Sequence, residues 1–280
     1  MLGNFELFRC KMAGMSNLGL NRVLEYLRED PGKLSLRKMS QIARAKSYYD
    51  FIERYKSQDV KELREFFKRF PSFSILDRVY PDRLREMYNP PVLLFYQGDL
   101  DLLKRRKLAF VGSRDASPQG LKSVQKIIPD LADFAIVSGL ARGIDAASHI
   151  SAVKNQISTI AVVGTGLDVF YPSENRALQE YLSKNHLILS EYAAGEKALK
   201  FHFPERNRII AGLSVGVVVV EAKLRSGSLI TAERAMEEGR DVFAIPGNIL
   251  DGMSDGCHHL IQQGAKLVFS AKDILEEYEL

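Results

Sequence analysis

The chain has 280 residues, of which 46% are hydrophobic and 26% are charged, which predicts a soluble protein of one or two globular domains. No run of ~20 apolar residues and no signal peptide is found, and Cys10 and Cys257 lack the spacing of a disulfide or zinc framework, so we expect a cytoplasmic protein without membrane contact. The net charge of +4 conceals a basic front of +8 in residues 1–110, a middle of +2 in 111–232 and an acidic end of −6 in 233–280, which suggests different partners for different surfaces.

The first 70 residues predict a small bundle of short helices. Apolar residues recur there at spacings of three and four, in Leu20-Val23-Leu24-Leu27 and in Val60-Leu63-Phe66-Phe67. Helix-breaking residues stand at Gly14, Pro31-Gly32 and Pro71. The prolines of residues 81–91 then precede the apolar run Val92–Tyr96, which predicts a strand, and Gly98 marks the end of that strand.

From residue 107 onward the sequence alternates short apolar runs with segments long enough for crossover helices, such as a predicted helix at Leu121–Phe134. Most of the runs are apolar at every position, which is typical of parallel strands covered by helices on both faces of a doubly wound α/β sheet. The predicted strands are Leu108–Val111, Ala135–Val137, Ser158–Val163, Leu187–Leu189, Gly216–Val220, Asp241–Ile245 and Lys266–Val268.

Glycine- and serine-rich turns follow several of these strands, at the edge of the sheet where such folds bind ligands. Glycine allows backbone N–H groups to approach an anion closely, and a helix start adds unpaired N–H groups. The segments are Gly112-Ser113-Arg114, Ser138 to His149, Gly164 to Leu178 and Glu221 to Ala235, and an arginine-containing segment, Phe201 to Ile210, precedes the strand Gly216–Val220. Six arginines lie in or beside them: Arg114, Arg142, Arg176, Arg206, Arg208 and Arg225.

One such turn could hold a nucleotide cofactor, a nucleotide substrate or the backbone of a nucleic acid. Several anion sites along one edge favour the polymer, because a single strand presents a phosphate every few ångströms and arginines bind phosphates well. Aromatic residues in the same loops are candidates for stacking on bases, with core packing as the alternative. They are Phe170, Tyr171, Phe201 and Phe203.

Long motifs also occur in the order of one known family. They are YPDRLREMYNPPVLLFYQG at 80–98, GSR at 112–114, SGLARGID at 138–145, GTGLDVFYP at 164–172, FPERNRIIAGL at 203–213, EAKLRSGSLITAERAMEEGRDVFAIPG at 221–247 and SDGCHHLIQQGAKLV at 254–268. Together they resemble the DNA-processing protein A family (DprA or Smf). The helical start resembles the sterile-alpha-motif-like (SAM-like) domain of some members.

The resemblance implies a fold and a function. The fold is a SAM-like helical domain at 1–70 followed by a Rossmann-like, mostly parallel domain at 71–280, without the winged-helix module that many members carry. The function is to bind and protect single-stranded DNA and to load RecA onto it during natural transformation, as a homodimer, without catalysis and without a cofactor or metal.

The resemblance also implies site residues. The DNA contacts fall at the phosphate-binding turns, and the turn arginines 176 and 225 are added to them. The predicted DNA-binding residues are Gly112, Ser113, Arg114, Ser138, Gly139, Arg142, Asn175, Arg176, Arg206, Asn207, Arg208 and Arg225.

Two protein contacts are predicted in the acidic end of the chain. His258, Ile261 and Leu267 are assigned to the dimer interface beside a bare edge strand, and the alternative is that the last helix simply docks on the sheet. Acidic residues surround a methionine in the segment from 231 to 241. Two of these acidic residues and the methionine are assigned to RecA contact, with a solvated helix whose methionine faces the core as the alternative. The RecA residues are Glu233, Met236 and Asp241.

An enzyme that resembles the nucleoside-monophosphate phosphoribohydrolases is the alternative function. Those enzymes carry a PGGxGTxxE loop with a catalytic glutamate, whereas the loop here, RSGSLITAE, lacks both PGG and GT and ends at Glu233. Asp145 is interpreted as a helix-capping carboxylate in preference to a general base. Cys257-His258-His259 does not predict a metal site, because adjacent histidines point apart on a helix and no second ligand cluster accompanies them.

Overall fold

Five short helices open the chain, as the apolar spacing predicts. They are α1 (Asn4–Met12), α2 (Asn17–Glu29), α3 (Leu36–Ile42), α4 (Tyr48–Ser57) and α5 (Val60–Phe67). Ser16, Ser35 and Ser47 each accept a backbone N–H at the start of the helix that follows, and Asp59 does the same for α5. The structure, a computed structural model, describes residues 2–278.

Two strands and a short helix follow: β1 (Ser72–Ser74), α6 (Asp82–Arg85) and β2 (Leu93–Gly98). β1 pairs antiparallel with β2. The ring of Phe95 packs edge-on against Phe8 and Phe67, with centroids 5.8 and 5.9 Å apart. The chain accordingly divides into the compact units Met1–Phe95 and Tyr96–Leu280. This division lies beyond the predicted domain boundary between residues 70 and 71, which stays a prediction.

The second unit alternates strands and helices. Its strands are β3 (Arg106–Val111), β4 (Phe134–Ser138), β5 (Thr159–Val163), β6 (Leu187–Ser190), β7 (Gly216–Val219), β8 (Asp241–Ala244) and β9 (Lys266–Leu267). Its α-helices are α7 (Pro118–Ile127), α8 (Ile144–Lys154), α9 (Arg176–Asn185), α10 (His202–Leu213), α11 (Gly227–Glu237), α12 (Asp255–Gln262) and α13 (Lys272–Leu275). Short 3-10 helices occupy Leu100–Lys104, Ile128–Asp130 and Ser173–Asn175.

These strands are hydrogen-bonded neighbours in the order β6-β5-β4-β3-β7-β8-β9, and every pair is parallel. The chain builds the sheet outward from β3 to β6 and then returns to the other side of β3 with β7. A sheet of this kind binds ligands at such a switch point, beyond the carboxyl ends of the strands. The arrangement confirms the predicted doubly wound, Rossmann-like α/β fold, since β4, β5, β6 and β7 are buried at every position.

The helix predicted at Leu121–Phe134 is wrong in its bounds. α7 begins at Pro118, where the hydroxyl of Ser117 accepts the N–H of Gly120, and it ends at Ile127. Pro129 has no N–H to continue the helix, so the chain turns through a 3-10 segment before Phe134 begins β4. Within residues 2–278, no helix is both long and apolar enough to cross a membrane.

Candidate functional site

A groove runs along the carboxyl ends of β3, β4, β5 and β7, at the switch point of the sheet. Its main cavity has a volume of about 620 Å³, and a smaller recess adjoins it. The lining comes from the glycine turns that the sequence singled out and from the first turns of α10 and α11. The residues that line both the cavity and the recess are Arg114, Ala141, Tyr171, Phe203 and Arg206.

The turn after β3 brings Arg114 to this groove. Gly112 is required there, because a Cβ at this position would lie 2.6 Å from Cγ1 of Ile144. The N–H of Ser113 donates to the carbonyl of Glu221 at 2.7 Å, and its own carbonyl accepts from the N–H of Ile144 at 3.1 Å. Arg114 is exposed, and its guanidinium carbon lies 5.3 Å from the centre of the Phe203 ring. The turn therefore fixes the backbone while the Arg114 charge stays accessible.

The helix start that follows this turn already holds a carboxylate of the chain itself. Glu221, which comes directly after β7 and is 3% exposed, accepts from the N–H of Ser117 at 3.1 Å and from its hydroxyl. A Cβ on Gly120 would lie 2.9 Å from the same carboxylate. The N-terminus of α7 therefore offers no open position for a phosphate, and the sequence analysis missed this role of Glu221.

The turn after β4 is closed in a similar way. The carboxyl group of Asp145 accepts from the N–H groups of Gly139 and Ala141, at 3.2 and 3.4 Å. Asp145 thus holds the turn from within the first turn of α8, whereas the N-cap position belongs to Gly143. The predicted helix-capping role of this carboxylate is wrong, because it binds N–H groups of the preceding turn and none at the start of α8.

Arg206 lies beneath the groove, beside Asp145. It is 4% exposed, it donates to the carbonyl of Val162, and a Cβ on Gly139 would overlap its guanidinium. Burial lowers the pKa of Arg206 to about 10, against the attraction of Asp145, so it stays protonated at neutral pH. Burial raises the pKa of Asp145, and the Arg206 charge opposes that rise. The two groups compensate each other in a site where an unpaired charge would be costly.

Several predicted DNA-binding residues therefore have partners inside the protein. The hydroxyl of Ser138 donates to the carbonyl of Phe110 at 2.7 Å and is fully buried. The amide of Asn175 donates to the carbonyls of Leu140 and Ala141, at 2.9 and 3.1 Å, and so ties the turn after β4 to α9. These groups shape the groove, and their direct contact with DNA stays a prediction.

The remaining predicted residues are spread along the same edge. Arg142 and Arg176 are exposed and pair with Glu174 and Glu180, at 3.2 and 2.8 Å. The side chain of Arg208 is 13% exposed and pairs with the buried Glu191 at 2.5 Å. The amide of Asn207 donates to the carbonyl of Gly227 at 3.3 Å. Arg225 is exposed and has a left-handed backbone, with φ of 60°.

Two exposed lysines that the sequence analysis did not select, Lys200 and Lys223, also line the groove. Together with Arg114 they form what we call the groove cations. No hydrogen bond or ion pair engages the side chains of these three residues within the part of the chain from 2 to 278. The signal was available, since Lys223 lies within the segment from Glu221 to Ala235 and Lys200 directly precedes the segment from Phe201 to Ile210.

Aromatic rings lie among these charges. Tyr171 is 44% exposed, and its ring centre lies 5.4 Å from that of the half-buried Phe203, with the planes tilted by 35°. Phe201 is 59% exposed, and the guanidinium carbon of Arg176 lies 4.7 Å from the centre of the Phe170 ring. Core packing, the alternative for Tyr171 and Phe201, is wrong at that exposure.

The start of α11 differs from those of α7 and α8. Ser226 is its N-cap residue, yet the hydroxyl of Ser226 caps no N–H and has no hydrogen-bond partner among the residues described. The hydroxyl of Ser228 donates to the carbonyl of Gly112 at 2.9 Å, and a Cβ on Gly227 would meet nothing within 4 Å. All three residues line the groove. Because the first N–H groups of a helix lack intrahelical partners, a helix start that lines the groove without a capping side chain is a suitable position for an anion.

The predicted dimer residues lie at the other end of the sheet. Leu267 is 41% exposed in β9, the last strand of the sheet order, and Ile261 is half-buried on α12. Nε2 of His258 lies 3.2 Å from the N–H of Gly247 and 3.1 Å from its carbonyl. The surface is available for a partner, and its role in dimerisation stays a prediction.

On α11, Met236 is 46% exposed, so the alternative in which it faces the core is wrong. Glu233 and Glu237 flank it and are exposed, and Glu237 pairs with Arg234. Asp241 begins β8 and accepts from the hydroxyl of Tyr278 at 2.8 Å. Glu233 does not line the groove, as a catalytic glutamate there would.

The thiol of Cys257 is buried and lies 3.6 Å from the carbonyl of Val219. Across residues 2–278, no group of three or more His, Cys, Asp or Glu side chains is arranged to hold a metal ion.

Two family models match the chain. The model described as DNA recombination-mediator protein A matches residues 72–279, and the DNA processing protein A sterile alpha motif domain matches residues 2–63. The chain is 58% identical over 277 residues to the DNA processing protein DprA of Streptococcus pneumoniae, which covers 99% of this chain and 98% of that protein. It is 43% identical over 231 residues to DprA of Bacillus subtilis, with 77% and 78% covered.

Solved structures agree with these relationships. The X-ray structure of DprA from Streptococcus pneumoniae has a TM-score of 0.97 and 58% identity, with 99% of both chains covered. A structure that addresses the single-stranded DNA binding mode of DNA processing protein A from Helicobacter pylori has a TM-score of 0.67 and 30% identity, and it covers 75% of this chain and 96% of that one.

Proposed function

The chain belongs to the DNA recombination-mediator protein A family, as its motifs predict, and from this premise we propose that it binds single-stranded DNA in the groove. The observation that carries the proposal is the placement of the groove cations, Arg114, Lys200 and Lys223, around an aromatic pair formed by the exposed Tyr171 and the half-buried Phe203. Cations bind the phosphates of a single strand, and aromatic rings stack on its bases.

The same features favour a single strand over a duplex. A duplex keeps its bases stacked inside the helix, so the rings of Tyr171 and Phe203 would have no base face to contact. An unpaired strand can turn its bases toward these rings while its phosphates reach the cations and the open start of α11. The Helicobacter pylori relative, whose structure concerns its single-stranded DNA binding mode, supports this class of ligand.

Binding without catalysis is part of the proposal. Asp145 is the acidic residue among those that line the main cavity, and its carboxyl group is engaged by two backbone N–H groups beside Arg206. A general base must lie within hydrogen-bond reach of the proton that it removes. Asp145 is only 7% exposed and holds the turn through its Oδ2, so the cavity is better suited to binding a strand than to cleaving one.

We further propose that the protein protects the bound strand and loads RecA onto it in the cytoplasm during natural transformation, and that it does so as a homodimer. The exposed Met236 between Glu233 and Glu237, with Asp241 nearby in sequence, supports a RecA contact, because an acidic surface with an adaptable apolar side chain suits a basic protein and repels DNA. His258, Ile261 and Leu267, beside the edge strand β9, support the dimer interface.

Titration of a fluorescent oligonucleotide tests the ligand class. We expect the purified chain to bind oligo(dT) more tightly than a duplex of the same length, with affinity that falls steeply as salt is raised. Equal affinity for the duplex would contradict the proposal.

Two substitutions test the proposed protein contacts. Met236→Lys should abolish RecA loading while DNA binding persists, and loading that survives would place the RecA contact elsewhere. Leu267→Glu should give a folded monomer in light scattering, and a dimer that survives would place the dimer interface elsewhere.

A further inference from the structure

The N-terminal unit contains a basic cavity of its own. It has a volume of about 500 Å³ and lies between the starts of α2 and α4 and the end of α3. Three exposed cations line it, and we call them the cavity cations: Arg44, Lys46 and Arg54. Asp50 is the carboxylate among the lining residues, so the lining is net positive.

The cavity cations are not engaged elsewhere in the protein. Within residues 2–278, no hydrogen bond or ion pair occupies their side chains. The guanidinium of Arg54 instead packs near Gly14, where a Cβ would lie 3.4 Å from Nη1. The hydroxyls of Ser16 and Ser47 also line the cavity; each accepts one backbone N–H and keeps its proton to donate. Three free charges and two hydroxyl donors are a set that suits phosphate groups.

Arg44 adopts a backbone conformation that usually favours glycine. Arg44 has φ of 53° and follows the C-cap of α3, with its N–H bonded to the carbonyl of Gln41 and the N–H of Ala45 bonded to that of Ser40. This is the Schellman arrangement, in which glycine is the usual residue because a side chain in the left-handed region is strained. An arginine at this position therefore carries backbone strain that glycine would avoid, and it places a charged side chain at the cavity.

A pair of tyrosines, one half-buried and one exposed, lies among these charges in sequence. Tyr48 and Tyr49 directly follow Ser47, their ring centres are 3.9 Å apart, and Tyr49 is 70% exposed. The guanidinium of Arg37 lies 5.7 Å from the centre of the Tyr48 ring. In proteins that bind single strands, exposed aromatic rings stack on the bases and nearby cations bind the phosphate backbone. Tyr49 and the cavity cations offer both kinds of contact.

We propose that the N-terminal unit carries a second site for single-stranded DNA, in which the cavity cations bind phosphates and Tyr49 stacks on a base. The proposal rests on the function proposed for the groove, because it takes the same ligand class. An acidic polypeptide could also satisfy the charges, but it would leave the exposed ring of Tyr49 without a stacking partner. A single DNA strand would contact both the cavity cations, through its phosphates, and Tyr49, through a base.

The test neutralises the cavity in the full chain. Arg44→Gln, Lys46→Gln and Arg54→Gln are combined and compared with Lys33→Gln, Lys56→Gln and Lys61→Gln, which remove the same charge from exposed positions outside the cavity. With a long fluorescent oligo(dT), we expect the cavity variant to bind about tenfold or more weakly than the control, and the slope of log affinity against log salt to fall by about 2, as for three lost phosphate contacts. Ultraviolet cross-linking should attach the oligonucleotide to Tyr49 in the control and not in the cavity variant.

Arg44→Gly separates binding from folding. Glycine relieves the left-handed strain, so the melting temperature should not fall, while the affinity for oligo(dT) should drop. A variant that melts lower and binds unchanged would assign Arg44 a structural role and would count against the site.

The outcomes distinguish this proposal from the one for the groove. If both triple variants bind oligo(dT) like the parent chain and cross-links occur only at Tyr171 or Phe203, the second site is refuted and the groove stands. If the parent chain does not bind oligo(dT) at all, both proposals fail. Poly(glutamate) that displaces the strand from the N-terminal unit more readily than unlabelled oligo(dT) would overturn the nucleic-acid assignment in favour of an acidic protein.

Discussion

The turns after β3 and β4 and the turn after β7 have similar sequences but differ in what occupies them. Glu221 fills the start of α7 and Asp145 closes the turn that leads into α8, so both anion positions are taken by carboxylates of the chain itself. At the start of α11, the buried hydroxyl of Ser226 has no partner within the described part of the chain, no carboxylate of the chain caps the helix, and Ser226, Gly227 and Ser228 line the groove.

The difference shows that a glycine turn fixes backbone geometry and does not by itself make a ligand site. Two of the turns act as a scaffold that holds Arg114 and the groove floor in place. The third is the open position, and the groove cations surround it. Changes at the closed turns should therefore affect stability first, whereas changes at the open side should affect binding.

The largest effect is expected at Asp145. Asp145→Ala leaves the guanidinium of Arg206 buried without its compensating carboxyl group, which should lower the free energy of unfolding by about 3–5 kcal/mol. The exposed pair of Arg142 and Glu174 provides the control, and Glu174→Ala should cost less than about 1 kcal/mol. Urea denaturation measures both. A loss at Asp145 no larger than that at Glu174 would show that the closed turn is not a scaffold.

A matched pair of glycines sharpens the comparison. Gly139→Ala places a Cβ where the guanidinium of Arg206 lies, and it should destabilise the fold by about 1–3 kcal/mol. Gly227→Ala meets no neighbour, so stability should change by less than about 0.5 kcal/mol. Thermal and urea unfolding of the two variants compare them, and equal losses would break the distinction between closed and open turns.

Arg114 should affect binding and not folding. Arg114→Ala removes an exposed charge whose contact with a phosphate is expected to contribute about 1–3 kcal/mol, so affinity for oligo(dT) should fall accordingly. The melting temperature should stay close to that of the parent chain, because Arg114 is not a core residue. Unchanged affinity in a folded variant would remove Arg114 from the site.

The smallest expected effect is a pH dependence of stability that arises from a buried histidine on α8, the helix that follows the closed turn after β4. His149 on α8 is fully buried, and burial, helped by the nearby His186 and Arg206, lowers its pKa to about 3. The unfolded chain takes up this proton near pH 6.5 and the folded chain does not, so the stability present above pH 6.5 is lost as the pH falls toward 3.

Between pH 7.5 and 5.5 this loss should amount to about 1 kcal/mol. The hydroxyl of Thr159 donates to the carbonyl of Ile136, so Nδ1 of His149 carries a proton and donates it to that hydroxyl. In His149→Gln, unfolding experiments at the two pH values should show the parent's pH dependence reduced by that amount. An identical pH dependence in both proteins would mean that His149 is not responsible.

Much of the fold was predictable because it depends on local patterns. The apolar runs located β3 to β9, and the motifs located the edge of the sheet that forms the groove. β1 was missed because it is three residues long. The closure of α7 was missed because it joins Ser117 to Glu221, 104 positions away in sequence, and no local pattern indicates which distant carboxylate reaches a helix start. Lys200 and Lys223 lay within reach of sequence reasoning, which counted only arginines.

The central claim is that the groove cations hold a single strand. The direct measurement compares the salt dependence of oligo(dT) binding in two triple variants of the full chain. One carries Arg114→Gln, Lys200→Gln and Lys223→Gln; the other carries Lys122→Gln, Lys154→Gln and Lys184→Gln, which are exposed in the same unit and do not line the groove. We predict that the slope of log affinity against log salt falls by about 2 in the first variant and stays unchanged in the second. Equal slopes in the two variants would contradict the assignment of the groove as the DNA site.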